Sequence, residues 1–239
     1  TWTDYKASAM YVTNKMLQDS MYMSRIQSQF VPKMQRALMK TIEVDVLAVG
    51  PAGQTSANSN TINGAKHRII GSGTSETIAI EDFAKALYAL QKANVPATNL
   101  VAIVDPSVEF QFNTMTNLVN MSNNPRWEGI VSTGISSGMR FVKNIYGFDV
   151  YTSQNLKVNA ASEAIDGVTA AAGVNNLFFS ATSGVMPFVG GLKQPPRVDS
   201  EYNKDLQREE YVTTCRYGFK LFRPENLVVV VTDTDQVYA

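Results

Sequence analysis

The chain has 239 residues, 44% of them hydrophobic, enough for one large domain or two modest ones with a well-formed core. Lysine plus arginine and aspartate plus glutamate both number 21, so the formal charge is zero, and no overall basicity marks a nucleic-acid-binding module. One cysteine excludes an internal disulfide, one histidine excludes a metal site needing two, and no apolar run approaches the roughly 18 residues that span a membrane.

In chain order, residues 1–12 read as extended chain, with Trp2, Tyr5 and Tyr11 as anchors. The opening residue is Thr1 and the pattern starts in mid-course, so the N-terminus is read as truncated. Residues 19–49 follow as one long amphipathic helix. Met23, Ile26, Phe30, Met34, Leu38, Ile42, Val46 and Val49 recur at steps of three and four, which places them on one stripe. Asp19 or Ser20 supplies the N-cap and Gly50-Pro51 the stop. At about 1.5 Å per residue such a helix extends about 46 Å. Pro32 removes a backbone donor and crowds the carbonyl of Ser28, which predicts a kink costing about 3 kcal/mol, while the stripe keeps its phase. A coiled coil or bundle helix is the plainer reading, but no second helix of that length exists in the sequence, and the spacing is nearer 3.7 than 3.5.

The partner for the stripe comes near the other end. In residues 209–223, Tyr211, Thr213, Cys215, Tyr217, Phe219 and Leu221 alternate with Val212, Thr214, Arg216, Gly218 and Lys220, the period of a strand with one apolar face. At about 3.3 Å per residue it also covers about 46 Å, so helix and strand are expected to lie side by side as an elongated platform. Between them, residues 51–65 are rich in Gly, Ser, Asn and Ala and read as a loop. Residues 66–70 are expected as a strand and 78–93 as a helix with Ile80, Phe83, Leu87 and Leu90 on one face. Residues 100–104 form a buried strand, and Asp105-Pro106 caps a helix running to about residue 120. A short strand at Ile130-Val131, a helix over 136–144, and strands at 147–152, 177–181 and 227–231 complete an α/β insertion. Gly190-Gly191 and Pro195-Pro196 mark the return to the platform.

Catalytic motifs are weak. Gly134-Ile135-Ser136-Ser137-Gly138 matches the nucleophile elbow of hydrolases, but there the acid and histidine follow the serine, and His67 precedes it. Cys215 with His67 would be a thiol dyad, yet Cys215 lies mid-strand on the apolar face, the ordinary place for a small buried side chain. Gly71-Ser72-Gly73 lacks the third glycine of a dinucleotide fingerprint and the lysine of a phosphate loop. Asp4, Asp19 and Asp45 have no metal-ligand spacing. No catalytic, cofactor-binding or metal residue is assigned, and the single cysteine fits a reducing cytoplasm.

A long helix after an extended arm, an α/β insertion, and a long returning strand ending in Arg223-Pro224 resemble the major capsid proteins of tailed phages, the Hong Kong 97 fold. The segments that carry the resemblance are NVPATNLVAIVDPSVEF (94–110), IYGFDVYTSQNL (145–156) and REEYVTTCRYGFKLFRPENLVVVV (208–231). The resemblance implies an α+β fold. Residues 1–77 and 195–222 form a peripheral domain, in which 1–16 end an extended loop and 19–49 are the spine helix packed on an elongated antiparallel sheet. Residues 78–194 and 223–239 form an inserted α/β axial domain whose loops meet at five-fold and six-fold axes. It further implies a non-enzymatic shell of hexamers and pentamers in the virion, assembled in the bacterial cytoplasm, enclosing double-stranded DNA without sequence-specific binding. Scaffold, portal and decoration proteins are the other candidate partners, and no membrane is involved. An encapsulin-type compartment shares that fold, and a serine hydrolase using Ser136 is the distant alternative, beside a decoration or tail-tube protein.

Overall fold

The computed structural model describes residues 4–19, 23–54, 61–114, 144–159, 163–165, 168–170 and 173–233. In chain order they form β1 (Asp4–Thr13), α1 (Asn14–Asp19), α2 (Met23–Gly53), the hairpin of β2 (Thr61–Ile62) and β3 (Ala65–Lys66), β4 (Arg68–Ile70), α3 (Ile80–Lys92), β5 (Leu100–Val104), α4 (Pro106–Thr114), β6 (Asn144–Ile145), β7 (Phe148–Thr152), the pair β8 (Glu163–Ile165) and β9 (Val168–Ala170), β10 (Val174–Ser180), β11 (Phe188–Asn203), β12 (Arg208–Leu221) and β13 (Leu227–Thr232). They group into two compact units, Thr1–Val46 with Val189–Lys220, and Leu47–Phe188 with Leu221–Ala239.

The first unit is built on a three-stranded sheet of order β1-β12-β11. β1 and β12 run antiparallel from Asp4 opposite Tyr217 to Thr13 opposite Arg208. This register puts Lys6, Ser8, Met10 and Val12 on the same face as Cys215, Thr213, Tyr211 and Glu209. Helix α2 packs on that face: Leu38 is buried with Cys215 and Tyr217, and Ile42 and Phe219 close around them. The helix and strand expected to lie together therefore do so. Within the stripe, Met34 and Leu38 are buried, but Phe30 is 42% exposed.

The helix departs from its expected ends. Residues 14–19 are a separate turn of helix, α2 begins by Met23, and Ser20 lies outside the described residues. The helix runs unbroken through Pro32 and does not stop at Gly50-Pro51. Gly50 is there for clearance and not for termination, since a Cβ would lie 2.8 Å from Leu227 Cδ2 and 3.3 Å from the Phe188 ring. Gly190-Gly191 and Pro195-Pro196 likewise lie inside strand β11 and not at a break. The Phe219 ring occupies the space a Cβ on Gly190 would need. Among the described residues β11 pairs on one side only, so the proline facing the open side withdraws no ladder donor, and only its neighbour, whose nitrogen faces β12, does.

The second unit holds a six-stranded sheet of order β4-β13-β10-β5-β7-β6. β4 with β13 and β5 with β7 are parallel, and β13 with β10, β10 with β5 and β7 with β6 antiparallel. Every residue of β10 and β13 is buried, as the apolar run at 227–231 requires of a strand covered on both faces. Four phenylalanines centre the core: Phe83 of α3 meets Phe112, Phe148 and Phe178 edge-to-face at centroid distances of 5.1, 6.2 and 4.9 Å, and Phe148 meets Phe178 at 5.4 Å. Asp105 caps α4 as expected, its carboxylate accepting from the Ser107 N–H at 2.9 Å. The strand expected at Ile130-Val131 and the helix expected from Ser136 lie outside the described residues.

The expected boundaries after residues 77 and 194 shift. Residues 47–77 belong with the second unit, because β4 is hydrogen-bonded to β13 within the large sheet and Gln54 Nε2 donates to the carbonyls of Pro224 and Leu227, both at 2.8 Å. Residues 189–194 belong with the first, since they continue β11.

Candidate interaction surface

Cys215, His67, Asp45 and Gly71-Ser72-Gly73 each have a structural place. Cys215 is fully buried between β12 and α2, and burial pushes its thiol above the ordinary range, partly offset by the backbone hydrogen bond and the charge of Lys6. A nucleophile needs the opposite shift. Maleimide is therefore expected to leave Cys215 unmodified at pH 7.5 in the folded chain and to label it fully in urea, a contrast that mass spectrometry reads directly. Because the folded state holds this proton more tightly, the associated stability is present below about pH 8.5 and declines as pH rises through the folded value.

His67 belongs to the second unit, where its ring is fully buried with Nδ1 3.1 Å from the Ala65 carbonyl. Cys215 belongs to the first, and Ser136 lies outside the described residues. Asp45 accepts from the Tyr217 hydroxyl and pairs with Lys6 at 3.3 Å, tying α2 to both β12 and β1. Asp19 ends α1, and Asp4 sits opposite Tyr217. Gly71-Ser72-Gly73 is folded back on its own chain. A Cβ at Gly71 would lie 2.5 Å from the Glu76 and Thr77 carbonyls, and Ser72 donates through its N–H and hydroxyl to Asp82 at 2.9 and 2.7 Å.

What the first unit does present is surface. The sheet face away from α2 carries Tyr5 and Tyr11, 61% and 59% exposed, with exposed Ala7 and Ala9 between them. The guanidinium of Arg208 stacks 4.8 Å from the Tyr11 ring and pairs with Glu210 at 2.6 Å, which also accepts from Asn203 Nδ2 at 3.4 Å. The side chain is thus held flat on that face. Asn14 fastens the end of β1 to the β11–β12 hairpin through the Gln207 carbonyl at 3.0 Å and the Tyr202 hydroxyl at 2.8 Å. In the order β1-β12-β11 each outer strand has one side without a strand partner among the described residues. A sheet covered on one face by a single helix, with an apolar-aromatic second face and two open edges, has the makings of an interface.

Sequence reading missed one feature of the second unit, a buried polar network under the sheet. Arg68, 3% exposed, donates to the Gln54 carbonyl and approaches Asn175 Oδ1 at 3.5 Å. Asn175 Nδ2 in turn donates to the Lys157 carbonyl at 2.8 Å and Asn159 Oδ1 at 2.9 Å. Gln54 falls in the Gly- and Ser-rich segment after α2, and Asn175-Asn176 inside the apolar run VNNLFF is the signal the sequence offers for this network.

A protein-family model described as "Phage capsid protein" matches residues 3–230. The curated proteins contain no match. Among solved structures, the chain is similar to the capsid of Cyanophage P-SCSP1u, with a TM-score of 0.67 and 18% identity over 95% of this chain and 72% of that one. It is similar to a Mycobacterium phage Che8 structure, with a TM-score of 0.59 and 18% identity over 95% and 70% of the two chains. The holo-SrpI encapsulin complex from Synechococcus elongatus PCC 7942 gives a TM-score of 0.58 and 12% identity over 99% and 76%. At these identities the likeness is one of fold.

Proposed function

Because the chain belongs to the phage capsid protein family and is a structural, non-enzymatic major capsid protein of the tailed-phage type, we propose that its copies close into an icosahedral head of hexamers and pentamers enclosing a double-stranded DNA genome. In this reading the first unit is the peripheral domain with its spine helix, and the second is the axial domain, whose loops gather at the five-fold and six-fold axes. Assembly takes place in the host cytoplasm, with scaffold, portal and decoration proteins as further partners.

The observation that carries the reading is the first unit's second sheet face. Tyr5, Ala7, Ala9 and Tyr11 are left in solvent by this chain, beside two open strand edges. Neighbouring copies cover such surfaces in obligate assemblies, where interfaces exceed about 2,000 Å² in total. Many modest contacts repeated around closed symmetry then give a stable container.

The purified chain, alone or with a scaffold, is expected to sediment as rings or shells that electron microscopy resolves as particles. A monodisperse monomer at high concentration overturns the reading. The likeness to an encapsulin supports a second reading, a compartment for cargo proteins. Mass spectrometry and nuclease treatment of particle contents separate the two, since a phage head holds DNA and a compartment holds protein.

A further inference from the structure

The charge of this chain is balanced only in total. Residues 23–42 of α2 contain Arg25, Lys33, Arg36 and Lys40 and no carboxylate before Glu43, so the rest of the chain carries a net charge of −4. At about 100° per residue, these four positions fall within an arc of about 80° on the helix. The buried positions Met34 and Leu38, with half-buried Ile42, lie on the opposite side, against the sheet. The basic strip is therefore the helix's outer ridge. Lys33, Arg36 and Lys40 are exposed, and no salt bridge among the described residues engages them. Exposed Phe30 and Met39 fall on the flanks of the strip, and Glu43 closes its end.

We propose that this ridge is a phosphate-contacting surface for duplex DNA, an assignment that rests on the capsid reading above and adds to it the site at which the subunit meets its contents. The cations lie close enough together to reach neighbouring phosphates through their long side chains. Lys33, Arg36 and Lys40 step along the helix axis by about 4.5 and 6 Å, against about 3.4 Å of axial rise per phosphate on one DNA strand. An acidic protein partner fits less well, because protein interfaces concentrate apolar and aromatic groups at their centre, and the centre of this strip is cationic. The strip is a convex row of separated cations on the outside of a helix, which suits contact with the backbone and not readout of base edges. Three cations make a weak site, which becomes substantial only when copies are arrayed along one duplex.

Binding of a fluorescein-labelled mixed-sequence duplex to the purified full-length chain, followed by anisotropy, tests this. Three phosphate contacts predict a log–log salt slope of about −2.7, an affinity loss of about 40-fold between 50 and 200 mM salt. The triple variant Lys33→Gln, Arg36→Gln, Lys40→Gln is expected to lose most of that slope and at least ten-fold in affinity at 50 mM salt. A control of equal charge change, Lys157→Gln, Lys193→Gln, Lys204→Gln, keeps both. The assignment is overturned if the wild-type chain shows no salt-dependent binding, if the control weakens as much as the ridge variant, or if polyglutamate of matched charge binds as tightly as the duplex. Particles are scored in parallel by electron microscopy. Their absence from the wild-type chain counts against the shell reading, and their presence with an unchanged slope in the ridge variant counts against this site alone.

Discussion

Replacing Phe178 with alanine is expected to lower the stability of the second unit by about 3–5 kcal/mol. The ring is fully buried on the central strand β10 and stands edge-on to Phe83 and Phe148, so truncation removes apolar area and leaves a void lined by two rings that cannot both collapse into it. Urea unfolding followed by far-ultraviolet circular dichroism measures the change. Phe178→Leu, which keeps most of the volume, is expected to cost far less. A loss below about 1.5 kcal/mol for the alanine variant, the range of volume-conserving swaps, would show that the four-ring cluster is not the centre of this core.

The second large effect is on assembly. Leu38→Asp is expected to abolish particles altogether, with only subunits left in sedimentation velocity. The seam between α2 and the sheet is thin, holding Leu38, Cys215 and Tyr217 as its buried members with Ile42 and Phe219 half-buried around them. A carboxylate set among these apolar and aromatic groups is buried, at a cost of several kcal/mol. Leu38→Met preserves volume and is expected to assemble normally. Normal particles from Leu38→Asp would mean that the helix is held by something other than this seam.

Much of this fold was legible because its long elements carry uninterrupted periods. The step of three and four through Met34, Leu38 and Ile42, and the alternation from Tyr211 to Leu221, each needed only local pattern, and their packing followed from matching lengths. What failed was punctuation. Gly50, Gly190, Pro195 and Pro196 were read as ends and boundaries because Gly and Pro usually are. Here the glycines make room for Leu227, Phe188 and Phe219, and the prolines sit in an outer strand, where only one of the two adjacent positions faces a strand partner. Those are tertiary facts, invisible to a window of neighbours. The grouping of residues 47–77 with the second unit was invisible for the same reason, since β4 joins a sheet whose other strands come from far along the chain. Cys215 and His67 are both fully buried, which the strand alternation indicates for the cysteine and no local pattern indicates for a lone histidine.

Pro195 and Pro196, midway along the open side of β11, carry a consequence for how this chain avoids misassociation. An extended peptide that began to zip onto that rim would find a rung with no amide hydrogen to offer, since in-plane groups alternate sides along a strand and one of the two prolines faces outward, and pairing would be interrupted there. A polypeptide made to crowd together in great numbers is thereby kept from growing into ribbons, and its appetite for neighbours is directed toward closed, finite objects.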